Sequence, residues 1–409
     1  MSAAYAKADI VFRRIKMQLR DYKIDSDAPY LLPYQKKDVL FFDIETTGLS
    51  ASSSYLYLIG CIYYKEDSWH LKQWFSDGIE EEKEVITLFF EFLKDYKVLV
   101  HYNGQGFDIP YLLTKVKRYK LRYDFESITS LDIYKEILPY KKLLSFENLK
   151  QKTVEAAFGL NRLDTFSGGD LIAVYASYVG KHQYEMKHRK LLGEDEYKIP
   201  KHSGLPSMPE TESEKLLYVL LLHNADDLKG LLAISRLITY KGLFSGDLTY
   251  NGARLIKDTI FCMHATLPFA IPAEVLTSRT LSLKEVDFEI TLRASKKDVY
   301  LLIPLYRGSA KYFYPDYKDY YYLPEEDKAI HKSVAEFVEK EYRVKAKPEN
   351  CYLKKEAVYL PQSDDTMQPA FRFTPKDKGA LFELTPELLT DLPSMQNYLS
   401  SLIKRLFCK

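Results

Sequence analysis

Cysteine is scarce in this chain. Its four copies, Cys61, Cys262, Cys351 and Cys408, include no C-x-x-C pair. Neither a zinc site nor a disulfide framework is suggested, and the usage suits a reducing compartment. Long apolar runs are missing too, so no segment predicts a membrane span. Met1 to Leu19 mixes charges throughout and has no apolar core of the kind a signal peptide needs. The expected location is the cytoplasm. A charge excess is also absent: 58 basic residues face 57 acidic ones, for a net charge of +1. A nucleic-acid partner must therefore be met by a local patch, not by a globally basic surface. The chain has no internal repeat and no long low-complexity tract. Gly168-Gly169 is too short a glycine signal for a phosphate loop and reads as a turn ahead of a helix.

What is present predicts two domains, because 409 residues exceed one average domain. Residues 1–37 read as an N-terminal arm, with an amphipathic helix over Ile10 to Tyr22. From Val39 the pattern changes. Val39-Leu40-Phe41-Phe42 is an apolar run that reads as a buried strand, Tyr55 to Tyr64 as a second strand, and Trp69 to Phe75 as an alternating third. Glu80 to Tyr96 follows a helical period with acids crowding its first turn. Val98-Leu99-Val100 is another short strand. Thr211 with Glu214 forms a T-x-x-E capping box opening a helix that runs to about Tyr240. This mixture predicts an α/β sheet domain over residues 38–242. A turn-rich stretch through Gly246 and Asn251-Gly252 separates it from a smaller α+β C-terminal domain, residues 250–409. There, Phe288 to Leu292, Val299 to Pro304 and Lys311 to Tyr314 read as strands. Pro324-Glu325-Glu326-Asp327 predicts a helix start, with the helix running to about Ala346. Leu388 to Phe407 reads as a final helix.

The chemistry concentrates in Phe42-Asp43-Ile44-Glu45-Thr46-Thr47-Gly48-Leu49. Asp43 and Glu45 sit at i and i+2, on one face of a buried strand. Two acids so placed repel each other and resist desolvation. A hard divalent cation, Mg²⁺ or Mn²⁺, resolves the conflict. Two such ions held close together need about four carboxylates. Asp108 is a third candidate, where a strand gives way to a helix at the carboxyl edge of the sheet. An aspartate there also suits a helix N-cap, and the two roles can coexist. Asp227 is the fourth, within His223-Asn224-Ala225-Asp226-Asp227-Leu228. His223 lies four residues before it on a helix, so both face the same way. An imidazole in that position can orient or deprotonate a water. The plainer reading of His223 is a satisfied structural histidine.

F-D-I-E-T-T-G-L, N-G-Q-G-F-D-I-P-Y-L and H-N-A-D-D-L resemble the three motifs of the DEDD 3′–5′ exonucleases. Their order, with a long gap before the third, is similar to the YprB-type ribonuclease-H-like family. The resemblance covers roughly residues 39–240, and three motifs in order are far more specific than any one. It implies a ribonuclease-H-like fold, a mixed sheet with an antiparallel strand and flanking helices. It also implies two Mg²⁺ or Mn²⁺ ions on Asp43, Glu45, Asp108 and Asp227, with His223 at the position of the general base. Thr46 and Leu49 match residues that grip the terminal nucleotide, and Asn103 matches one near the substrate strand. Asp132 has a counterpart in the YprB-type pattern, either as a structural cap or as a support for the ligands. One feature departs from the pattern. The DEDD families carry either Y-x-x-x-D or H-x-x-x-x-D, and here a histidine stands at the tyrosine spacing, about 100° of helical rotation from the usual histidine position.

The implied activity is metal-dependent phosphodiester hydrolysis from a free 3′ end of DNA or RNA, in repair or in RNA processing. Two rivals belong to other classes. One is a nucleic-acid-binding module that keeps the fold without turnover. The other is a scaffold whose C-terminal domain docks a helicase or repair partner. Two surface features also bear on partners. Lys181 to His202 carries six basic residues and three histidines, diluted by acids, and reads equally as a phosphate-tracking segment or a solvated loop. Tyr312 to Tyr322 is dense in aromatics. Strand and core packing is favoured there over base stacking, since tyrosine suits strands.

Overall fold

The structure is a computed structural model that describes residues 17–26, 29–141, 144, 146–160, 162–164, 166–191, 211–284 and 286–407. The chain divides into two compact units. One comprises Met1–Leu138 and Phe146–Ile238, the other Pro139–Ser145 and Thr239–Lys409.

The first unit is built on six strands: β1 (Gln18–Ile24), β2 (Val39–Thr46), β3 (Leu56–Lys65), β4 (Ser68–Phe75), β5 (Val98–His101) and β6 (Thr129–Asp132). Their order is β1-β4-β3-β2-β5-β6. β2, β5 and β6 run parallel, and β1, β4 and β3 pair antiparallel up to β2. This is the mixed sheet expected from the sequence. β3 and β4 join through Glu66 and Asp67, both left-handed (φ 49° and 55°), the backbone that a tight two-residue hairpin requires.

Helices cover both faces. They are α1 (Glu82–Leu93), α2 (Asp108–Arg118), α3 (Ile133–Ile137), α4 (Gln151–Ala157), α5 (Gly168–Leu191) and α6 (Glu212–Ile234). Leu40, Phe42 and Ile44 of β2 pack with Phe89, Phe90, Leu93 and Leu112 of α1 and α2. On the other face, Tyr57 and Phe75 pack with Leu171, Tyr175, Tyr178, Leu217 and Leu220 of α5 and α6. Because side chains alternate along a strand, Asp43 and Glu45 lie on the face opposite Phe42 and Ile44. The Thr211–Glu214 capping box forms as expected.

The arm is different from the expected helix. Gln18 to Tyr22 belongs to β1, and Ile10 to Lys16 lies outside the described residues. Gln18 and Arg20 point inward while Leu19 is half-exposed. The Gln18 amide donates to Asp77 Oδ1 (2.8 Å) and to the Tyr178 hydroxyl (3.1 Å). This edge strand buries polar residues that have partners, so its period-two pattern carries no apolar signal.

The second unit is rich in strand. α7 (Thr239–Ser245) leads into β7 (Thr249–Ile256), β8 (Ile260–Thr266), β9 (Val275–Leu283), β10 (Val286–Ser295) and β11 (Asp298–Pro304), an antiparallel sheet of order β7-β8-β11-β10-β9. β12 (Tyr306–Phe313), β13 (Tyr320–Leu323), β14 (Lys328–His331), β15 (Val344–Lys345), β16 (Tyr352–Gln362) and β17 (Ala380–Glu383) form two further sheets, with α8 (Lys332–Ala335), α9 (Pro386–Thr390) and α10 (Leu392–Phe407). The helix expected from Pro324 to Ala346 is replaced by β14, the one-turn α8 and β15. Asp327 takes a left-handed φ of 48° and accepts from the Tyr322 hydroxyl (2.8 Å) and Lys354 Nζ (2.9 Å). It therefore closes the β13–β14 hairpin and cannot serve a first helical turn.

The tyrosines of the aromatic-rich stretch, Tyr312, Tyr314, Tyr317, Tyr320, Tyr321 and Tyr322, are all half-buried. Tyr314, Tyr317 and Tyr320 lie against Ala329, Ala346 and Cys351, and Tyr314 stacks on Tyr320 at 4.5 Å. Lys181 to Leu191 is the end of α5, and 192–202 lie outside the described residues. Among the described residues, no helix is long and apolar enough to cross a membrane.

Candidate acid site

Three elements deliver the acids. The end of β2 carries Asp43 and Glu45, the first turn of α2 carries Asp108, and the middle of α6 carries His223 and Asp227. Asp43 pairs in register with Gly60 of β3. A Cβ at Gly60 would overlap the Asn224 side chain, so the glycine lets α6 lie close to β2 and β3. Asn224 Nδ2 then donates to Asp43 Oδ2 at 2.9 Å. Gln73 Nε2 in turn donates to Asn224 Oδ1 (3.0 Å) and to the Leu221 carbonyl (2.9 Å). Asp43 is thus oriented by a buried amide chain that reaches across the sheet.

His223 is buried among acids. Its Nδ1 lies 2.7 Å from Asp164 Oδ2, and its Nε2 lies 3.2 Å from Asp227 Oδ2 and 3.7 Å from Glu45 Oε1. Ligand atoms of Glu45, His223 and Asp227 all fall within 4.8 Å of one another. Despite its unusual spacing, the imidazole therefore faces the carboxylates. The other oxygen of Asp227 pairs with Arg162 Nη1. The neighbouring Asp226 turns away and accepts the backbone N–H groups of Leu163 and Asp164, both at 3.0 Å. It ties a loop down and leaves the inward position to Asp227.

The electrostatics raise three of the four acids and lower the fourth. Burial, then the charges of Asp227 and Asp108, holds Asp43 well above the ordinary carboxylate range. Burial, then Asp43, Asp227 and Asp108, does the same to Glu45. Burial raises Asp108 to about 7 against the backbone N–H groups of Asp108 and Ile44, with Asp132 and Asp227 adding to the rise. Asp227 alone among the four goes down. Burial opposes its ionisation most strongly, yet His223 and Arg162 together outweigh it. A buried group of carboxylates that suppress one another's charge is the donor set that a hard divalent cation satisfies.

The remaining sequence candidates lie around this centre. Asp132, at the end of β6, accepts from the backbone N–H of Asn103 (2.8 Å) and Gln105 (3.4 Å). It thereby fixes the loop that leads into Asp108. Asn103 is exposed and left-handed (φ 58°), and its carbonyl accepts from Gly106 N at 2.8 Å. Asp108 is the first residue of α2 and not its cap, which falls on Phe107. Thr46 donates its hydroxyl to the Gly48 carbonyl (2.9 Å), and Leu49 is 86% exposed on the loop that follows β2. Sequence reasoning missed Glu155, Arg162 and Asp164, which come from α4 and the loop after it. That loop has no periodicity, and its partners in α6 are about sixty residues away. Asn224 stood inside the third motif, but only the structure gives it Asp43 as a partner.

Residues 40–191 match the family model of the RNase_H superfamily. The match includes Asp43, Glu45, Asp108 and Asp132 and ends before α6. With the sheet order above, it makes the first unit a ribonuclease-H-like domain. No curated protein matches the sequence. Among solved structures, the chain is similar to the family B DNA polymerase from the hyperthermophilic archaeon Pyrobaculum calidifontis, at 14% identity and a TM-score of 0.35. The overlap covers 67% of this chain and 33% of the polymerase chain, so this chain spans about a third of that protein's length.

Proposed function

We propose that the first unit is a metal-dependent 3′–5′ exonuclease acting on DNA or RNA. What supports this reading is that Glu45, His223 and Asp227 offer ligand atoms within 4.8 Å of one another and that Asp43 and Asp108 lie close enough to raise the carboxyl of Glu45, on three elements whose motifs occur in the DEDD order. In this reading the four carboxylates hold two Mg²⁺ or Mn²⁺ ions. When bound, such ions neutralise the phosphodiester and make a water acidic enough to attack at neutral pH.

The chain's own residues supply the rest. Asn224 keeps one oxygen of Asp43 engaged and leaves the other for the centre. His223 Nδ1 is held by Asp164, so Nε2 is the nitrogen that faces the acids; with a metal drawing Asp227 Oδ2 away from it, Nε2 can accept a proton from water. Asp164 plays the orienting part that a carboxylate plays behind a catalytic imidazole. Thr46 ends the strand that carries Glu45 and the exposed Leu49 lies on the loop just after it, where they can meet the last nucleotide of a strand. Asn103 lines the loop before Asp108.

The test uses end-labelled oligonucleotides of DNA and RNA, with free and blocked 3′ ends. Purified protein should shorten free 3′ ends in Mg²⁺ or Mn²⁺, stop on chelation and spare blocked ends. Equal activity in wild type and Asp108→Ala would refute the site. Internal cutting of blocked substrates would refute the polarity.

A further inference from the structure

Arg162 is not among the proposed metal ligands, yet all three of its guanidinium nitrogens are engaged. Its Nε pairs with Glu155 Oε2 and its Nη2 donates to Glu155 Oε1 at 2.7 Å, a two-pronged grip on one carboxylate. Its Nη1 pairs with Asp227 Oδ1. Glu155 is itself almost fully buried. Gln151 Nε2 donates to Glu155 Oε1 (2.9 Å) and to the Asp227 carbonyl (2.7 Å), so α4 and α6 are joined at this point. Gly230 of α6 makes room. A Cβ there would overlap the Glu155 carboxylate, and glycine inside a helix is otherwise unfavourable. The fold thus accepts a helix-interior glycine in order to seat a buried glutamate that grips an arginine beside the acid centre.

The two ends of this guanidinium are not equivalent. The Glu155 end is enclosed. The Asp227 end meets Oδ1 of a carboxylate whose other oxygen, Oδ2, faces the acid centre; a divalent ion on Oδ2 would weaken that carboxylate's hold on the guanidinium through like-charge repulsion. Arginine's planar fork also suits phosphate, and keeping two donors on Glu155 leaves the third free to change partner.

We propose that Arg162 is a phosphate-positioning residue held in reserve. In the structure it is the counter-ion of Asp227. With a metal on Asp227, the Nη1 arm would be available to a substrate phosphate, while Glu155 would keep Nε and Nη2. The inference rests on the proposed metal-dependent reading of the site.

The test measures two affinities by calorimetry: Mn²⁺ for the metal-free protein, and a nucleoside 5′-monophosphate for the protein saturated with Mn²⁺. Arg162→Met removes the cation. The double variant Glu155→Gln/Arg162→Met removes it without leaving a buried charge unpaired, which keeps the test usable if the single variant does not fold. Loss of one charge-assisted contact predicts Mn²⁺ binding tighter by about tenfold and monophosphate binding weaker by about tenfold, in both variants. Opposite signs are the signature, because a merely structural bridge would weaken both affinities or neither. Mn²⁺ affinity that is unchanged or reduced overturns the inference, as does unchanged monophosphate binding. If wild type takes up no Mn²⁺ at all, the metal reading fails and the inference falls with it. If wild type binds Mn²⁺ and only the variants misbehave, the metal reading stands and the role of Arg162 is refuted.

Discussion

Asp108→Asn should make the metal-free protein more stable while destroying its activity. Asp108 is buried and its carboxyl is raised to about 7, first by burial and then by Asp132 and Asp227. The sign follows from comparing the two states. Below the ordinary carboxylate value of 3.8, Asp108 is protonated in both the folded and unfolded chain and contributes no penalty. Between 3.8 and about 7 the unfolded chain ionises while the folded site keeps its proton, so stability falls as pH rises. Above that window the folded state carries the full cost of a buried charge, about 4 kcal/mol by linkage. Asparagine keeps the shape and an acceptor oxygen but has no charge to bury. The chain's two tryptophans, Trp69 and Trp74, both lie in β4, so tryptophan fluorescence follows unfolding of the first unit alone. In the presence of chelator, the variant should match wild type near pH 4 and exceed it increasingly toward pH 8. Millimolar Mg²⁺ should then raise wild type and leave the variant unmoved, because a ligand that binds only the folded state stabilises by mass action. A variant no more stable than wild type at pH 8 without metal would refute the claim that these acids are held together against their own repulsion.

Other perturbations separate the parts of the site. Asp164→Asn should lower turnover about 10- to 100-fold, the usual cost of losing an orienting carboxylate behind a functional histidine, with Mn²⁺ affinity retained; steady-state kinetics beside calorimetry would check the split. Gly60→Ala should push Asn224 off Asp43 and destabilise the first unit by about 1–3 kcal/mol, with Mn²⁺ affinity reduced; tryptophan fluorescence and Mn²⁺ titration report the two effects. Leu49→Ala should change stability by less than about 0.5 kcal/mol, because the side chain is exposed, yet weaken trimming of 3′ ends. Wild-type trimming rates in that variant would remove Leu49 from the site.

The parts of this protein that were legible in sequence are those whose information is local. Val39 to Phe42 is apolar because β2 is covered on both faces, and the acids that follow fall on one side because a strand alternates. The capping box marks the start of α6 with two residues, and His223 and Asp227 share a face because they are one turn apart. The failures have equally definite causes. β1 hides its pattern by burying glutamine and arginine. The run after Pro324 carries helix-start residues, but Asp327 spends its carboxylate on a hairpin. Helical periodicity also overran the end of α6, where Ser235–Ile238 tightens into a 3₁₀ turn before α7.

Asp164 and Arg162 show why the centre itself was only half readable. Each acts on α6 across about sixty residues, from a loop that offers no repeat and no turn signature, and each becomes meaningful only once Asp226 has tied that loop down through Leu163 N and Asp164 N. Adjacent aspartates in the third motif thus do two jobs: one organises the backbone that brings Asp164 to His223, and the other faces the acids. This division predicts different failures for neighbouring substitutions. Asp227→Ala removes a carboxylate from the centre while leaving the loop in place, so activity and Mn²⁺ binding should be lost together in a well-folded protein. Asp226→Ala leaves every carboxylate of the centre but releases the loop that positions Asp164, so Mn²⁺ should still bind while turnover falls, as it does for Asp164→Asn. Paired calorimetry and kinetics on the two variants measure the difference. If Asp226→Ala abolished Mn²⁺ binding and Asp227→Ala did not, the assignment of the two aspartates would have to be exchanged.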